Sequence, residues 1–218
     1  MNITEYILND FNPLDINSTI ESAKKLCNEL LISHIPIVEN GKLIGCFSQS
    51  DIQTIEDPTL KIDQYLELLI QFNSTPSTTT LELFSVFATY DSNIIPVTIE
   101  NNYIGYYELS DILDVFSSSP FLATQGSIVL VQKNKREFTM SEISQIIESN
   151  NGTLLGAYQS EIKDDTVIIT LKITSQEVNE IIQTFRRYNY TIISNHSEDI
   201  YMEELKDRAA YLQKYLNT

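Results

Sequence analysis

Apolar and polar residues follow one design in the first third of the chain. Between Ile20 and Leu31 apolar residues recur every three or four positions, as on one face of an amphipathic helix. Two apolar runs, Ile35–Val38 and Lys42–Ser48, then flank an Asn-Gly pair, a strong hairpin signal. A second helical pattern covers Ser50–Ile55. The pattern predicts a helix, a β-hairpin and a short helix.

The same design returns at an offset of sixty residues. Three matches carry the frame: Ile35-Pro36 with Ile95-Pro96, Ile44-Gly45 with Ile104-Gly105, and Ser50-Asp51-Ile52 with Ser110-Asp111-Ile112. Ser18 with Glu21, and Thr79 with Glu82, have the spacing of capping boxes at the starts of the two longer helices. A period of this size indicates two copies of one supersecondary unit that bury their faces against each other.

Candidate chemistry lies where each hairpin runs into its second helix. Ser48 and Asp51 would stand on the first helical turn, where free backbone N–H groups and the positive end of the helix dipole point outward. A carboxylate suits the vicinal hydroxyls of a ribose, and the serine hydroxyl suits a ribose or phosphate oxygen. The alternative is that Ser50 or Asp51 only caps the helix, since both residue types are favoured there.

The doubled motif resembles the cystathionine-beta-synthase (CBS) domain, and two in tandem resemble a CBS pair, or Bateman module. The resemblance covers roughly residues 1–118. It implies two β-α-β-β-α repeats and an adenine-nucleotide or adenosyl ligand (AMP, ATP, adenosine or S-adenosylmethionine) in the cleft between them. Carried onto this sequence, the expected ligand-binding residues are Leu14, Ile35, Pro36, Ser48, Asp51 and Asp111. Glu108 stands where the family has Ser or Thr, so the second cleft is expected to be the weaker one.

Beyond Ser117-Ser118-Ser119-Pro120 the pattern changes, which places the domain boundary near residue 120. We therefore expect repeats at about 1–58 and 59–120, and a second domain over 121–218. The element order there is βαββαβ, a ferredoxin-like plait. It is similar to an ACT domain, although the turn after its first strand lacks the glycine that amino-acid-binding members use, which favours docking or dimerisation. Gly152 has the sequence context of a helix C′ residue.

The last helical pattern spaces its apolar residues as a heptad seam does and is predicted to pack on the plait or to reinforce a homodimer. Its members are Met202, Leu205, Ala209, Leu212 and Leu216.

Composition narrows the partners. The formal net charge of −16 argues against nucleic acid, which requires a clustered basic surface. Through residue 120 there are four lysines and no arginine against seventeen acidic residues. No apolar run is long enough to span a membrane, and the start lacks a basic region, so a cytoplasmic protein is expected. Cys27 and Cys46 fall in apolar patterns and are expected to be small buried hydrophobes.

No nucleophile elbow, metal-ligand spacing or phosphate-cradling glycine loop is present in the sequence. The sequence therefore predicts a non-catalytic regulatory protein with no cofactor. The CBS pair with its ACT-like domain is similar to the acetoin-utilisation protein B type of stand-alone CBS proteins. Two functions stay open: a sensor of an adenine nucleotide or adenosyl compound, and a ligand-free scaffold for dimerisation or for a target protein.

Overall fold

The first repeat folds as the sequence pattern predicts. In the computed structural model, which describes residues 3–193, it consists of α1 (Ile20–Leu30), β1 (His34–Glu39), β2 (Lys42–Ser48) and α2 (Gln49–Thr54). The second repeat consists of α3 (Thr80–Tyr90), β3 (Ile94–Ile99), β4 (Asn102–Glu108) and α4 (Leu109–Ser117). Short 3₁₀ turns, Thr4–Tyr6 and Ile62–Leu68, lie in the segments that lead to α1 and α3. These elements make up one compact unit, Met1–Ser118.

The start of α1 differs from the prediction. Its N-cap is Thr19, whose hydroxyl accepts the N–H of Ser22 at 3.2 Å, so the capping box of Ser18 with Glu21 is wrong. Ser18 instead bonds the turn before the helix, where its hydroxyl accepts the N–H of Asp15. The box at Thr79 and Glu82 is confirmed, with both hydrogen bonds formed. Thr19 and Thr79 are sixty residues apart, so the two N-caps occupy equivalent positions in the two repeats.

The four strands form one antiparallel sheet in the order β1-β2-β4-β3. The hairpins share a register: Ile35 pairs with Phe47, and Ile95 pairs with Tyr107. The predicted Asn-Gly turn is confirmed, because Asn40 and Gly41 both have positive φ, as a type I′ turn requires.

The two repeats exchange their leading segments. Leu8, in the segment before α1, pairs with Tyr106 on β4, whereas Ile70, in the segment before α3, pairs with Cys46 on β2. The glycines of the motif lie at these crossings. A Cβ atom on Gly45 would lie 3.0 Å from the Cβ of Leu69, and one on Gly105 would overlap the carbonyl oxygen of Leu8. Gly45 and Gly105 therefore allow the leading segments to pass close to the strands, where a side chain would not fit.

The unit has two hydrophobic cores, and each contains residues from both repeats. The first contains Cys27 and Ile35 together with Tyr106 of the second repeat. The second contains Tyr107 and Ile112 together with Cys46 of the first repeat. Both cysteines are buried and free, which confirms their predicted place as small hydrophobes.

The second unit, Ser119–Thr218, is a ferredoxin-like plait in its described part. A short α5 (Pro120–Ala123) leads into β5 (Ser127–Asn134), α6 (Met140–Ser149), β6 (Thr153–Lys163), β7 (Thr166–Thr174), α7 (Val178–Arg187) and β8 (Thr191–Ile192). The antiparallel sheet has the order β6-β7-β5-β8, which confirms the predicted plait. The heptad seam and its helix lie outside the described residues.

Gly152 is a second correction. The left-handed residue after α6 is Asn151, with φ 56°, whereas Gly152 does not have a positive φ. A Cβ atom on Gly152 would lie 2.7 Å from Cδ1 of Ile181 and 2.9 Å from Cγ2 of Ile147. Glycine is needed there for close helix packing rather than for its backbone angles.

Within residues 3–193 the longest helices have eleven residues. A membrane-spanning helix needs about 20, and none of the described helices meets the length and apolarity required.

Candidate functional site

The candidate site is built at the starts of α2 and α4. The first N–H of α2, on Gln49, donates to the carbonyl of Ser33 at 2.7 Å, and that of α4, on Leu109, donates to the carbonyl of Asn93 at 2.9 Å. Each helix is thus attached to the loop before β1 or β3. The motif therefore lies at the same position in both repeats. Its side chains differ between the two, with Ser48 in the first and Glu108 in the second.

In the first repeat the structure brings Ser48 and Asp51 together. Ser48 is buried and caps α2: its hydroxyl accepts the N–H of Asp51 at 3.0 Å and donates to Oδ2 of Asp51 at 2.6 Å. Ser50 also lies 2.9 Å from the same hydroxyl. Among the described residues, Oδ1 of Asp51 accepts no hydrogen bond. The result is a half-buried carboxylate with one oxygen held and one oxygen left for a ligand.

In the second repeat Glu108 replaces the capping serine. Its side chain makes no cap to α4 and instead accepts the hydroxyl of Ser110 at 2.7 Å. The pKa of Asp111 is raised by partial burial and by the negative charges of Glu108 and Asp114. The negative charges of Glu108 and Asp114, which contribute to this raised pKa, would also repel a phosphate at this helix start.

The other predicted site residues of the first repeat lie on or beside β1, and one of them points into the hydrophobic core. Leu14 pairs with β1, where its carbonyl accepts the N–H of Val38 at 2.8 Å. Pro36 is a buried residue of β1 opposite Cys46. Ile35 is fully buried in the first core, on the opposite side of the strand from Pro36 because side chains alternate. The side chain of Ile35 therefore belongs to the core that includes residues of α1 and α2, and it offers no exposed surface to a ligand.

Four residues that the motif did not include form a polar seam between the repeats: Ser33, His34, Ser92 and Asn93. The Ser33 N–H donates to Oδ1 of Asn93 at 2.8 Å, and the Asn93 N–H donates to the hydroxyl of Ser33 at 2.9 Å. Ser33 and Asn93 are sixty residues apart. The sequence repeat marks Ser33 and Asn93 as equivalent polar residues between helix and strand in the two copies, but it does not show that the two residues meet.

His34 is a buried member of this seam. Its Nδ1 lies 3.0 Å from the hydroxyl of Ser33, and its ring meets Phe72 edge-on with centroids 5.4 Å apart. Burial lowers the pKa of His34, while the negative charges of Asp51 and Asp91 act in the opposite direction. The imidazole is therefore neutral near pH 7, close enough to Asp51 to sense its charge.

The comparisons with known proteins bear on the first repeat. Residues 3–55 match the family model of the CBS domain. Residues 3–55 are a CBS domain. The second repeat has the same elements, the same hairpin register and the reciprocal segment exchange, so residues 1–118 form a tandem CBS pair. No curated protein matches this chain.

Solved structures are also similar to part of this chain. A CBS domain pair/ACT domain protein from Thermotoga maritima is 14% identical, with 53% of this chain and 96% of that chain covered at a TM-score of 0.47. A putative acetoin utilization protein from Vibrio cholerae is 21% identical, with 53% and 90% covered at 0.44. The protein CBSX2, solved in complex with AMP, is 12% identical, with 53% and 95% covered at 0.44.

The described residues of the CBS pair offer a carboxylate, a neutral imidazole and helix N–H groups, which are hydrogen-bonding groups for a polar ligand. No group of three or more His, Cys, Asp or Glu side chains within residues 3–193 is arranged to hold a metal ion.

Proposed function

We propose that this protein is a non-catalytic regulator whose CBS pair binds an adenine nucleotide or adenosyl compound at the first repeat. The observation that carries the proposal is the Ser48–Asp51 pair. The hydroxyl of Ser48 fixes Oδ2 of Asp51 at 2.6 Å and leaves Oδ1 without a partner among the described residues. A carboxylate oriented in this way is ready to accept a ribose hydroxyl without first losing rotamer entropy.

The surroundings of Asp51 support a ligand of the nucleoside type. Leu14 supplies half-buried apolar surface beside β1, and Pro36 is a buried apolar residue of that strand. His34 supplies a buried neutral ring near the carboxylate. A nucleoside needs this combination, because its base is largely apolar on its faces and its ribose is a cluster of hydroxyls. The resemblance to CBS pairs points to the same class of ligand.

The first repeat is the proposed binding site, and the second is proposed to bind phosphorylated ligands weakly or not at all. Glu108 places a second carboxylate near Asp111, and the pKa of Asp111 is already raised. The positions corresponding to Ser48 and Asp51 therefore carry two acids in place of a hydroxyl and an acid.

A ligand-free scaffold is the second candidate function, and the same geometry favours it in one respect. Within residues 3–193, every hydrogen bond of the Ser48 hydroxyl is made within its own helix start, to Ser50 or Asp51. A residue occupied in this way needs no ligand to satisfy it. In this alternative the repeats serve only to hold a homodimer or a target protein.

Calorimetric titration of the full chain separates these functions. We expect one of AMP, ATP, adenosine or S-adenosylmethionine to bind, and Asp51→Asn to weaken that binding tenfold or more, about 1.4 kcal/mol. Asp111→Asn is the matched control, since it removes one equivalent charge, and it should change the affinity by less than threefold.

Two results would count against the proposal. Loss of binding in Asp111→Asn alone would mean that the two repeats are reversed. Absence of binding by all four compounds, checked by thermal shift, would favour the scaffold, because a ligand at a hundred times its Kd stabilises a protein by about 2.7 kcal/mol.

For the second unit we propose an ACT-like role in docking or dimerisation. Its plait topology supports this role, as does the turn between β5 and α6, which contains no glycine.

A further inference from the structure

Lys172, on β7 of the second unit, is a buried cation. Only 7% of the residue is exposed. Its Nζ donates to the carbonyl oxygen of Leu122, on α5, at 2.7 Å and lies 5.8 Å from the centre of the Phe121 ring. An ammonium group has three N–H donors, so the carbonyl uses one and leaves two.

The charge of Lys172 has no carboxylate partner in the part of the chain that the structure describes. Within residues 3–193 no Asp or Glu oxygen lies within 4.0 Å of its Nζ. Lys133 in the same unit shows the usual solution, since its buried Nζ lies 2.6 Å from Oε2 of Glu142. Taking an ion out of water carries a large desolvation cost, which is compensated only when the ion has a partner. An unpaired buried lysine in an acidic protein therefore needs an explanation.

The surroundings of Lys172 offer one. Lys172 lines a cleft of about 620 Å³ between the segment after α5 and the end of β7. The walls are rich in hydroxyl groups and backbone, and include Leu122, Thr124, Ser127, Thr174 and Ser175. Gly126 lets the two walls approach, because a Cβ atom there would lie 2.6 Å from the carbonyl oxygen of Ile173. The volume falls in the range of small-molecule sites, roughly 300–1,000 Å³.

We propose that this cleft binds a small hydroxylated carboxylate. Its carboxylate would take the two remaining donors of Lys172, and its hydroxyl would hydrogen-bond to the hydroxyl-rich wall. One cation balances one negative charge, whereas a phosphate dianion is usually held by several cations or by an arginine fork. The class is therefore a monocarboxylate of hydroxy-acid type.

A purely structural role for Lys172 is the rival explanation. A lysine near a helix C-terminus binds free carbonyls, and α5 ends at Ala123, next to Leu122. That role uses one donor and makes no use of the cleft. The two explanations predict different behaviour when the charge is removed and the hydrogen bond to Leu122 is kept.

Lys172→Gln makes this separation, because a glutamine amide can still donate to the Leu122 carbonyl but carries no charge. Lys172→Met removes both the charge and the donor. Lys163→Gln, at the exposed end of β6, is the matched control for the loss of one positive charge. The readout is calorimetric titration of the full-length chain with glycolate, acetate and inorganic phosphate at low ionic strength. Circular dichroism verifies that each variant is folded.

We expect glycolate to bind more tightly than acetate, and acetate more tightly than phosphate. Lys172→Gln should weaken glycolate at least tenfold, and Lys163→Gln should leave it within twofold. If Lys172→Met fails to fold, the glutamine variant carries the test alone. Unchanged glycolate binding in Lys172→Gln, a preference for phosphate, or no binding of any of the three would overturn the proposal. The cleft belongs to the second unit, so these outcomes are independent of nucleotide binding by the CBS pair.

Discussion

Positions 48 and 108 are equivalent in the two repeats, yet their side chains act in opposite ways. Ser48 closes the first turn of α2 by accepting the Asp51 N–H, whereas Glu108 leaves α4 uncapped. Glu108 also adds a negative charge that helps to raise the pKa of Asp111. One substitution in the motif has therefore removed a cap and created a repulsion. Single residues, rather than the shared fold, make the two clefts different.

We expect Glu108→Ser to stabilise the protein. A serine N-cap is worth about 1 kcal/mol relative to a residue that does not cap, and the change also removes one cause of the raised pKa of Asp111. Because folded Asp111 holds its proton more tightly than unfolded Asp111, its contribution to stability falls as the pH rises through and above its ordinary value of 3.8. The gain from Glu108→Ser should therefore be larger at pH 7 than at pH 3.5.

Urea denaturation of both proteins at these two pH values measures this difference. Ser110→Ala is the control, because it removes only the hydroxyl that bonds Glu108. An equal or smaller gain at pH 7 would show that the charge of Glu108 does not act on Asp111.

Tyr107 presents a different residue-level problem. Its side chain is fully buried in the second core, and its hydroxyl has no hydrogen-bond partner among the described residues. The equivalent residue of the first repeat is Phe47, which is also fully buried. The fold accepts a phenyl ring at this position and gives the hydroxyl no partner.

Tyr107→Phe should therefore raise the free energy of unfolding by about 1 kcal/mol, since an unsatisfied buried hydroxyl carries a desolvation penalty of that order. Thermal or urea unfolding measures it. Phe47→Tyr is the reciprocal variant and should destabilise. Destabilisation by Tyr107→Phe would mean that the hydroxyl has a partner after all.

At the scale of elements, the two hairpins were predictable because their signals are local. Asn40-Gly41 supports a two-residue turn through its own backbone preferences, and the flanking apolar runs set the buried face. The exchange of Leu8 and Ile70 between repeats was not predictable in this way. Each makes only an isolated bridge, and no hydropathy pattern distinguishes pairing with β2 from pairing with β4.

The cap at Ser18 failed for a related reason. Ser18 and Thr19 both suit an N-cap, and the Glu21 spacing favoured the wrong one. Only the turn that Asp15 and Ser18 form with each other decides that the helix starts after Thr19. Similarly, the helix starts that carry Ser48 and Asp51 could be placed from sequence, whereas the seam of Ser33 and Asn93 depended on knowing that the two loops meet.

Gly105 provides a test of the segment exchange, because it lies where the segment of Leu8 crosses β4. Its φ is +148°, and a methyl group there would overlap the backbone of Leu8. Gly105→Ala should cost at least about 2 kcal/mol, because backbone strain and the displaced segment add. Gly41→Ala is the matched control: its φ is +80° but nothing lies within 4 Å of an added Cβ. It should cost only the conformational term, about 1 kcal/mol.

Chemical denaturation of the two variants compares these costs, and amide hydrogen exchange shows where protection is lost. Gly105→Ala should lose protection at Leu8 and Tyr106, whose N–H groups bond each other's carbonyls. Equal stability of the two alanine variants would argue against a tight crossing at Gly105.

At the scale of the whole molecule, the distribution of charge is uneven. Seventeen acidic and four basic residues lie within residues 1–120, whereas the remaining thirteen acidic and ten basic residues nearly balance. The two units thus differ in electrostatic character as well as in topology. This contrast was visible in the sequence, because charged residues can be counted without knowing the fold. The position of Lys172 against α5 was not, since only the packing of the plait buries it.

Two of the four lysines of the CBS pair already have partners. The Nζ of Lys24 donates to the carbonyl of Ile55 at 2.7 Å, and the Nζ of Lys25 lies 3.8 Å from Oε1 of Glu29. Lys42 follows the exposed hairpin turn, and Lys61 is exposed before the 3₁₀ turn. Among the described residues, none of the four forms a hydrogen bond or a salt bridge with Ser48 or Asp51. Helix N–H groups can hold one phosphate, but three phosphates need cations from a side chain or a metal.

We therefore expect the CBS pair to prefer adenine ligands of low charge. The order should be adenosine or S-adenosylmethionine first, then AMP, then ATP without magnesium, because each added phosphate is repelled by the acidic unit. Competition binding at low and high salt without magnesium measures the order, with Mg²⁺–ATP as the control for neutralised charge. Salt screens repulsion between exposed charges, so the gap between AMP and ATP should narrow at high salt. Metal-free ATP displacing AMP with a tenfold or greater advantage, about 1.4 kcal/mol, would show that cations reach the cleft and that the net charge does not select the ligand.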